Sequence, residues 1–225
     1  MMASASVRDI HGSRASAGLV RWPLLAISLL AAIAFAADTY LVLTRPYFPL
    51  DLALARAAQA VNWGPLAQSF GALDWFEGWK QVAAAGLGLL LVYLLRRRAF
   101  WLMGWGVLSG AAYQLLELVV QRPRPPAGLV HVVRHTTGYS FPSGHLVFFS
   151  WFGAYLILVF GGRLPRAVKA LLWLLYLLLL AAVAVSRVYT AEHWPTDVLA
   201  GLLLGGAWTL FGLSIRGLSD PVLAA

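Results

Sequence analysis

An all-α bundle with about six membrane-spanning helices is the fold class this sequence predicts, on three observations. Hydrophobic residues make up 60% of the 225 positions and charged residues 12%, too apolar a balance for a soluble domain that needs a polar shell. Apolar runs near 20 residues recur along the chain, and each is long enough to cross a hydrocarbon core about 30 Å thick. Arginines gather in alternate loops, the pattern of loops that face the cytoplasm.

The apolar runs predict spans at 22–43, 79–95, 99–121, 145–161, 167–186 and 196–215. Residues 1–21 read as a cytoplasmic tail. Arg21, the apolar stretch and Ala34-Phe35-Ala36 also resemble a signal peptide with a small-residue cleavage site. The stretch runs on to Leu43, longer than a signal core, and cleavage would leave an odd number of spans, so a retained span is expected. Residues 50–76 mix Leu, Ala and Trp with Asp51 and Arg56, a composition suited to short interfacial helices between the first two spans. Trp63, Trp75 and Trp79 suit the same boundary zone. The chain reads as one membrane-embedded domain over 1–225, with a motif-bearing core at about 75–215.

Six spans place both termini on one side. Arg8, Arg14, Arg21, Arg96 to Arg98, Arg163, Arg166, Lys169 and Arg216 then share that side, ten basic residues against seven at the other. The bias predicts cytoplasmic termini and extracytoplasmic loops at the opposite end. It also accounts for the net charge of +8 without a nucleic-acid partner. The absence of cysteine removes disulfides, thiolate zinc sites and cysteine nucleophiles together.

Polar residues are scarce, so those clustered at helix ends carry weight, because ionisable groups at membrane depth are costly. Gln121-Arg122-Pro123-Arg124-Pro125-Pro126 closes the third span, its prolines stopping the helix beside two guanidinium groups. Ser140-Phe141-Pro142-Ser143-Gly144-His145 opens the fourth, with Ser143 as the expected N-cap and free amides at Gly144 and His145. Ser186-Arg187 through His193 to Asp197 joins the fifth and sixth, with Pro195 suited to the first helical turn. Asp197, four residues after His193, can orient an imidazole or simply complement a helix N-terminus. Each cluster also has a plain structural reading as interfacial anchor, helix cap or helix-end charge.

Hydropathy and loop charge put all three clusters on the outer face, where two arginines, two helix N-termini and two histidines can meet one strongly anionic group. That set suits a phosphate ester better than a carboxylic ester. One neutral histidine can attack phosphorus while a second protonates the departing oxygen. No metal or other cofactor is needed by this scheme.

The residues resemble the type 2 phosphatidic acid phosphatase superfamily, whose pattern is KxxxxxxRP, then PSGH, then SRxxxxxHxxxD. Pro142 to His145 and Ser186, Arg187, His193 and Asp197 match the last two motifs completely. The resemblance implies a phosphohistidine formed on His193, with Asp197 orienting it and His145 serving as acid and then base. It implies phosphate binding by Arg124, Ser143, Gly144 and Arg187, no metal, and a phosphorylated membrane lipid as substrate. Candidate substrates are undecaprenyl diphosphate, phosphatidic acid and phosphatidylglycerol phosphate, with a leaning towards a polyprenyl diphosphate. The first motif departs from the pattern: with Arg124-Pro125 aligned to RP, Glu117 stands where the family has lysine. Lys80 offers a spatial substitute, and Glu192 is expected to face solvent. A lipid phosphotransferase using the same phosphoenzyme, or a non-enzymatic lipid-binding or transport protein on the same bundle, are the alternatives.

Overall fold

The computed structural model of the protein describes residues 18–223; the expected cytoplasmic tail lies outside the described residues as far as residue 17. The described chain is helical: α1 (Trp22–Thr44), α2 (Pro49–Ala60), α3 (Pro65–Trp75), α4 (Trp79–Leu95), α5 (Phe100–Val120), α6 (Gly144–Phe160), α7 (Arg166–Tyr189), α8 (Pro195–Ser214) and α9 (Arg216–Leu223). The six predicted spans fall on α1 and α4 to α8. Among the described residues, four segments are long and apolar enough to cross a membrane: α1, α7, α8, and α5 with the 3-10 turn before it. The other two, α4 and α6, have 17 residues each, about 25 Å of helix against a core of about 30 Å. Residues 50–76 form α2 and α3, as their mixed composition predicts.

Helix α8 sits at the centre. Its most apolar window is 56% buried, against 6% for α7, so α7 turns a nearly continuous leucine surface outward. Small residues let neighbours close on α8, since a missing side chain allows backbones to approach. A Cβ on Gly201 would meet the Ser143 carbonyl at 2.6 Å, and one on Gly205 would meet Ser150 Cβ at 2.6 Å. Both contacts hold α6 against α8. Helix α1 lies along α8, with Ser28 Oγ donating to the Ala207 carbonyl at 2.8 Å. Across the α5–α8 contact, Trp105 and Trp208 stack with centroids 4.6 Å apart. Each indole N–H donates to the other's carbonyl, at 3.0 and 2.8 Å. Both half-buried indole N–H groups thus find a partner within the bundle.

At one end of the bundle Val20 and Ile215 form an isolated antiparallel bridge, and Arg21 Nη2 reaches Asp220 at 2.5 Å. Arg96 to Arg98 line a recess with Pro221 and Val222 of α9. Arg21 and Arg96 to Arg98 thus lie at the end that carries α9, an amphipathic helix that hydropathy did not single out, while Arg8 and Arg14 lie outside the described residues. The three motif clusters lie at the other end.

Candidate active site

The site is assembled by helix ends. The α6–α8 approach brings the start of α6 beside the start of α8, where the Ser143 amide donates to the Asp197 carbonyl at 3.0 Å. Helix α5 closes at Gln121, in the left-handed region at φ 49°, with its amide on the Glu117 carbonyl. The prolines after it carry the chain away extended, and Ser140 returns to pair with the Arg122 carbonyl at 2.9 Å. Between α7 and α8, Ala191 adopts φ 60°, uncommon for a residue with a Cβ. The tight turn lets both the Glu192 and His193 amides reach the Arg187 carbonyl, each at 3.2 Å. Two successive side chains are thereby turned into the bundle.

A cavity of about 720 Å³ opens among these ends. Arg124, Gly144, His145, Glu192 and His193 line its polar end, and Val82, Leu89, Phe148 and Trp151 line its apolar part between α4, α5 and α6. Ser143, Arg187 and Asp197 stand directly behind this wall, each fully buried. Among the described residues, the buried polar atoms without a hydrogen-bond partner include Arg124 Nε, Ser143 Oγ and His145 Nε2 at this end of the cavity. Buried polar atoms are normally paired, so this concentration marks a place equipped to receive a polar group. Ser143 is the residue before α6, as expected, but its hydroxyl makes no capping bond.

His193 Nδ1 lies 2.6 Å from the Ser140 carbonyl oxygen and 3.9 Å from Asp197 Oδ2. At that distance Asp197 makes no hydrogen bond to the imidazole, and the Ser140 backbone carbonyl accepts the bond from Nδ1–H. The Asp197 carboxylate instead takes the Trp194 amide at 2.7 Å and the Arg122 guanidinium, which is the helix-start role read as its alternative. With Nδ1–H committed to Ser140, Nε2 carries the lone pair. Burial, followed by the charges of Arg124 and Arg187, pushes the His193 pKa well below the ordinary 6.5. The ring is neutral at physiological pH, the state a nitrogen nucleophile needs.

The two arginines of the RPRP run divide their labour. Arg124 lines the cavity and donates to the Glu192 carbonyl at 2.6 Å. Arg122 is buried and clamps α2 to α8: it donates to Asp51 Oδ2 at 2.8 Å, Thr196 Oγ1 at 2.7 Å, the Pro46 carbonyl at 3.0 Å, and Asp197. Asp51 completes the network through the Thr196 amide at 3.0 Å. Composition had placed Asp51 at an interface; burial of a carboxylate demands such partners.

Glu192 does not face solvent. It is 2% exposed, with Oε2 3.0 Å from Arg187 Nη1 and Oε1 3.5 Å from Arg134 Nη1. Arg134 also pairs with Glu77, between α3 and α4. Neither Arg134 nor Glu77 was singled out from sequence, because both lie in loops without a motif. Glu117 lines the cavity and accepts the Tyr139 amide at 3.2 Å. Lys80 does not substitute for the expected lysine: its Nζ donates to the Trp75 carbonyl at 2.6 Å and lies 4.2 Å over the Trp75 ring. Among the described residues, no group of three or more His, Asp or Glu is gathered to hold a metal ion.

Residues 98–219 match the model of the PAP2 superfamily. Over 80 residues the chain is 40% identical to an undecaprenyl-diphosphatase of Sulfolobus acidocaldarius, covering 36% of this chain and 34% of that protein. Over 133 residues it is 33% identical to the bacitracin transport permease protein BcrC of Bacillus licheniformis, covering 56% of this chain and 61% of that protein. The chain thus spans between a third and two thirds of the length of these curated relatives. The fold is similar to a solved PAP2-type phosphatidylglycerolphosphate phosphatase of Bacillus subtilis, with a TM-score of 0.65 and 19% identity over 82% of this chain and 92% of that one.

Proposed function

Because the chain belongs to the PAP2 superfamily, we propose that it is a membrane lipid phosphatase, hydrolysing a lipid phosphate or diphosphate through a phosphohistidine. The observation that carries this reading is the shared cavity wall: His145, His193, Arg124 and Gly144, distant in sequence, face one space, with Arg124 Nε and the neighbouring Ser143 Oγ lacking hydrogen-bond partners. In the first step His193 Nε2 attacks phosphorus and the lipid oxygen leaves with a proton from His145. In the second, His145 takes a proton from water, whose oxygen displaces His193 and releases inorganic phosphate. Arg124, Arg187, Ser143 and the amide at Gly144 neutralise the phosphoryl oxygens, the electrostatic work on which phosphoryl transfer depends. Asp197 acts through the Trp194 amide and Arg122, holding the segment that carries His193.

The apolar part of the cavity, between α4, α5 and α6, accommodates the lipid tail beside its phosphate. Trp79 and Val82 on its rim are 73% and 71% exposed, which gives a lipid lateral access from the bilayer. Basic residues at the opposite end favour cytoplasmic termini and an extracytoplasmic site. Carrier-lipid diphosphates, whose polar heads reach the outer interface, suit that orientation. The test is phosphate release by purified protein from polyprenyl diphosphate, phosphatidic acid and phosphatidylglycerol phosphate in bilayers. No release from any of them would exclude hydrolysis of these lipids.

A second reading, a lipid-binding or transport role, draws on Glu117 at the cavity wall and on the printed name of the Bacillus licheniformis relative. Binding of the same lipids with neither phosphate release nor a trapped phosphoenzyme would favour it.

A further inference from the structure

Resting on the reading above, in which Arg187 binds phosphate, we propose that Glu192 is a placeholder for the phosphoryl group. Its carboxylate sits on Arg187 and passes to Arg134 when an oxyanion arrives. The geometry has three parts. Glu192 Oε2 is 3.0 Å from Arg187 Nη1, the guanidinium behind the cavity wall. Its other oxygen is 3.5 Å from Arg134 Nη1, so a second cation stands ready on the far side of the same carboxylate. Arg134 is anchored by Glu77 and by its own amide on the Thr190 carbonyl.

A tetrahedral dianion approaching Arg187 must displace Glu192, because two anions sharing one buried guanidinium repel each other strongly in a low dielectric. Rotation about the Glu192 side chain toward Arg134 keeps the carboxylate paired and leaves Arg187 to the phosphoryl oxygens. The residue thereby limits the affinity of the site for phosphate, the product that must depart after each turnover. A site with only cations would hold that product longer.

The charged groups facing the Glu192 carboxylate are Arg187 from α7, Arg134 and Arg124 from the loop before α6, and Glu77 from the α3–α4 turn. Burial raises the pKa of Glu192, and Arg187 and Arg134 pull it back. Protonation at acid pH therefore releases Arg187 and favours anion binding.

The experiment is calorimetric binding of sulfate, whose charge is constant across the working pH range, to purified protein in detergent. Glu192→Gln is expected to bind sulfate roughly tenfold more tightly at neutral pH, the worth of about one charge-assisted hydrogen bond. The ratio between parent and variant should shrink as pH falls. Glu117→Gln removes a carboxylate from the same cavity that touches neither Arg187 nor Arg134, and should change affinity by no more than about twofold. Equal effects of the two variants would reduce Glu192 to general charge and overturn the proposal. So would unchanged or weaker binding in Glu192→Gln. Should that variant fail to fold, Glu77→Gln frees Arg134 to take the Glu192 carboxylate and must tighten sulfate binding; unchanged affinity there overturns it equally. Sulfate binding does not depend on turnover, so failure of the phosphatase reading would appear separately, as absence of phosphate release by the parent protein.

Discussion

His193 hydrogen-bonds through Nδ1 to the backbone carbonyl of Ser140, 53 residues earlier in the chain and 2.6 Å away. The bond ties the loop before α6 to the loop before α8, and it selects the tautomer whose Nε2 is free to attack. Replacing His193 by Ala should lower turnover by at least about a thousandfold while helical content and membrane insertion persist. Protein incubated with a phosphate-labelled lipid and quenched in alkaline denaturant, which preserves an acid-labile phosphohistidine, should carry label in the parent and none in the variant. Label retained in His193→Ala would assign the nucleophile elsewhere.

The pH profile should follow from the burial of the same ring. A histidine pushed below 6.5 by burial and by Arg124 and Arg187 stays neutral while an ordinary histidine titrates, so the acid limb assigned to His193 lies below that value. The stability sign follows too: the unfolded ring binds a proton more readily than the folded one, so stability rises with pH and falls as pH drops below about 6.5. Thermal denaturation across this window, compared between the parent and His193→Ala, isolates the contribution of this residue.

The two neighbouring arginines should fail in different ways. Arg122→Ala leaves Asp51 and Asp197 buried without their guanidinium, at a cost of about 3–5 kcal/mol, visible as a lowered melting temperature. Arg124→Ala keeps that network, since its bonds go to the Glu192 and Thr137 carbonyls, and should raise KM with little change in melting temperature. Equal destabilisation by both would contradict the division.

Glu117→Lys places a cation where the family pattern has one, on a wall already facing the cavity. KM for a lipid phosphate should fall by roughly tenfold, about 1.4 kcal/mol. Steady-state kinetics on a single lipid decide this; an unchanged KM would mean that the new ammonium lies beyond reach of the phosphate.

Exhaustive chelation should leave activity intact, because the proposed chemistry uses imidazoles, guanidiniums and amides alone. Loss of phosphate release on chelation, restored by a divalent metal, would contradict the mechanism.

Hydropathy alone located α1 and α4 to α8 to within a few residues, because a helix exposed to lipid must be apolar along its length and every break in that pattern is visible. It missed α9, whose Arg216, Asp220 and Pro221 disguise a short helix. Linear spacing likewise made His145, His193 and Asp197 legible, since their functional groups sit at fixed offsets in short motifs.

What the one-dimensional chain determined was thus its solvent, its helices and the identity of its candidate reactive groups. Only the tertiary structure decided the partners. That Arg122 is a buried clamp and Arg124 a cavity wall, that Ser140 rather than Asp197 accepts from His193, and that Glu192 turns inward onto Arg187 are relations between residues on different elements. Such pairings depend on how closely α6 can approach α8 over Gly201 and Gly205, and on the left-handed turn at Ala191. The physical reason is that burying a charge commits it to whichever opposite group the packing brings within about 3 Å, and no periodicity along one strand of sequence encodes that distance.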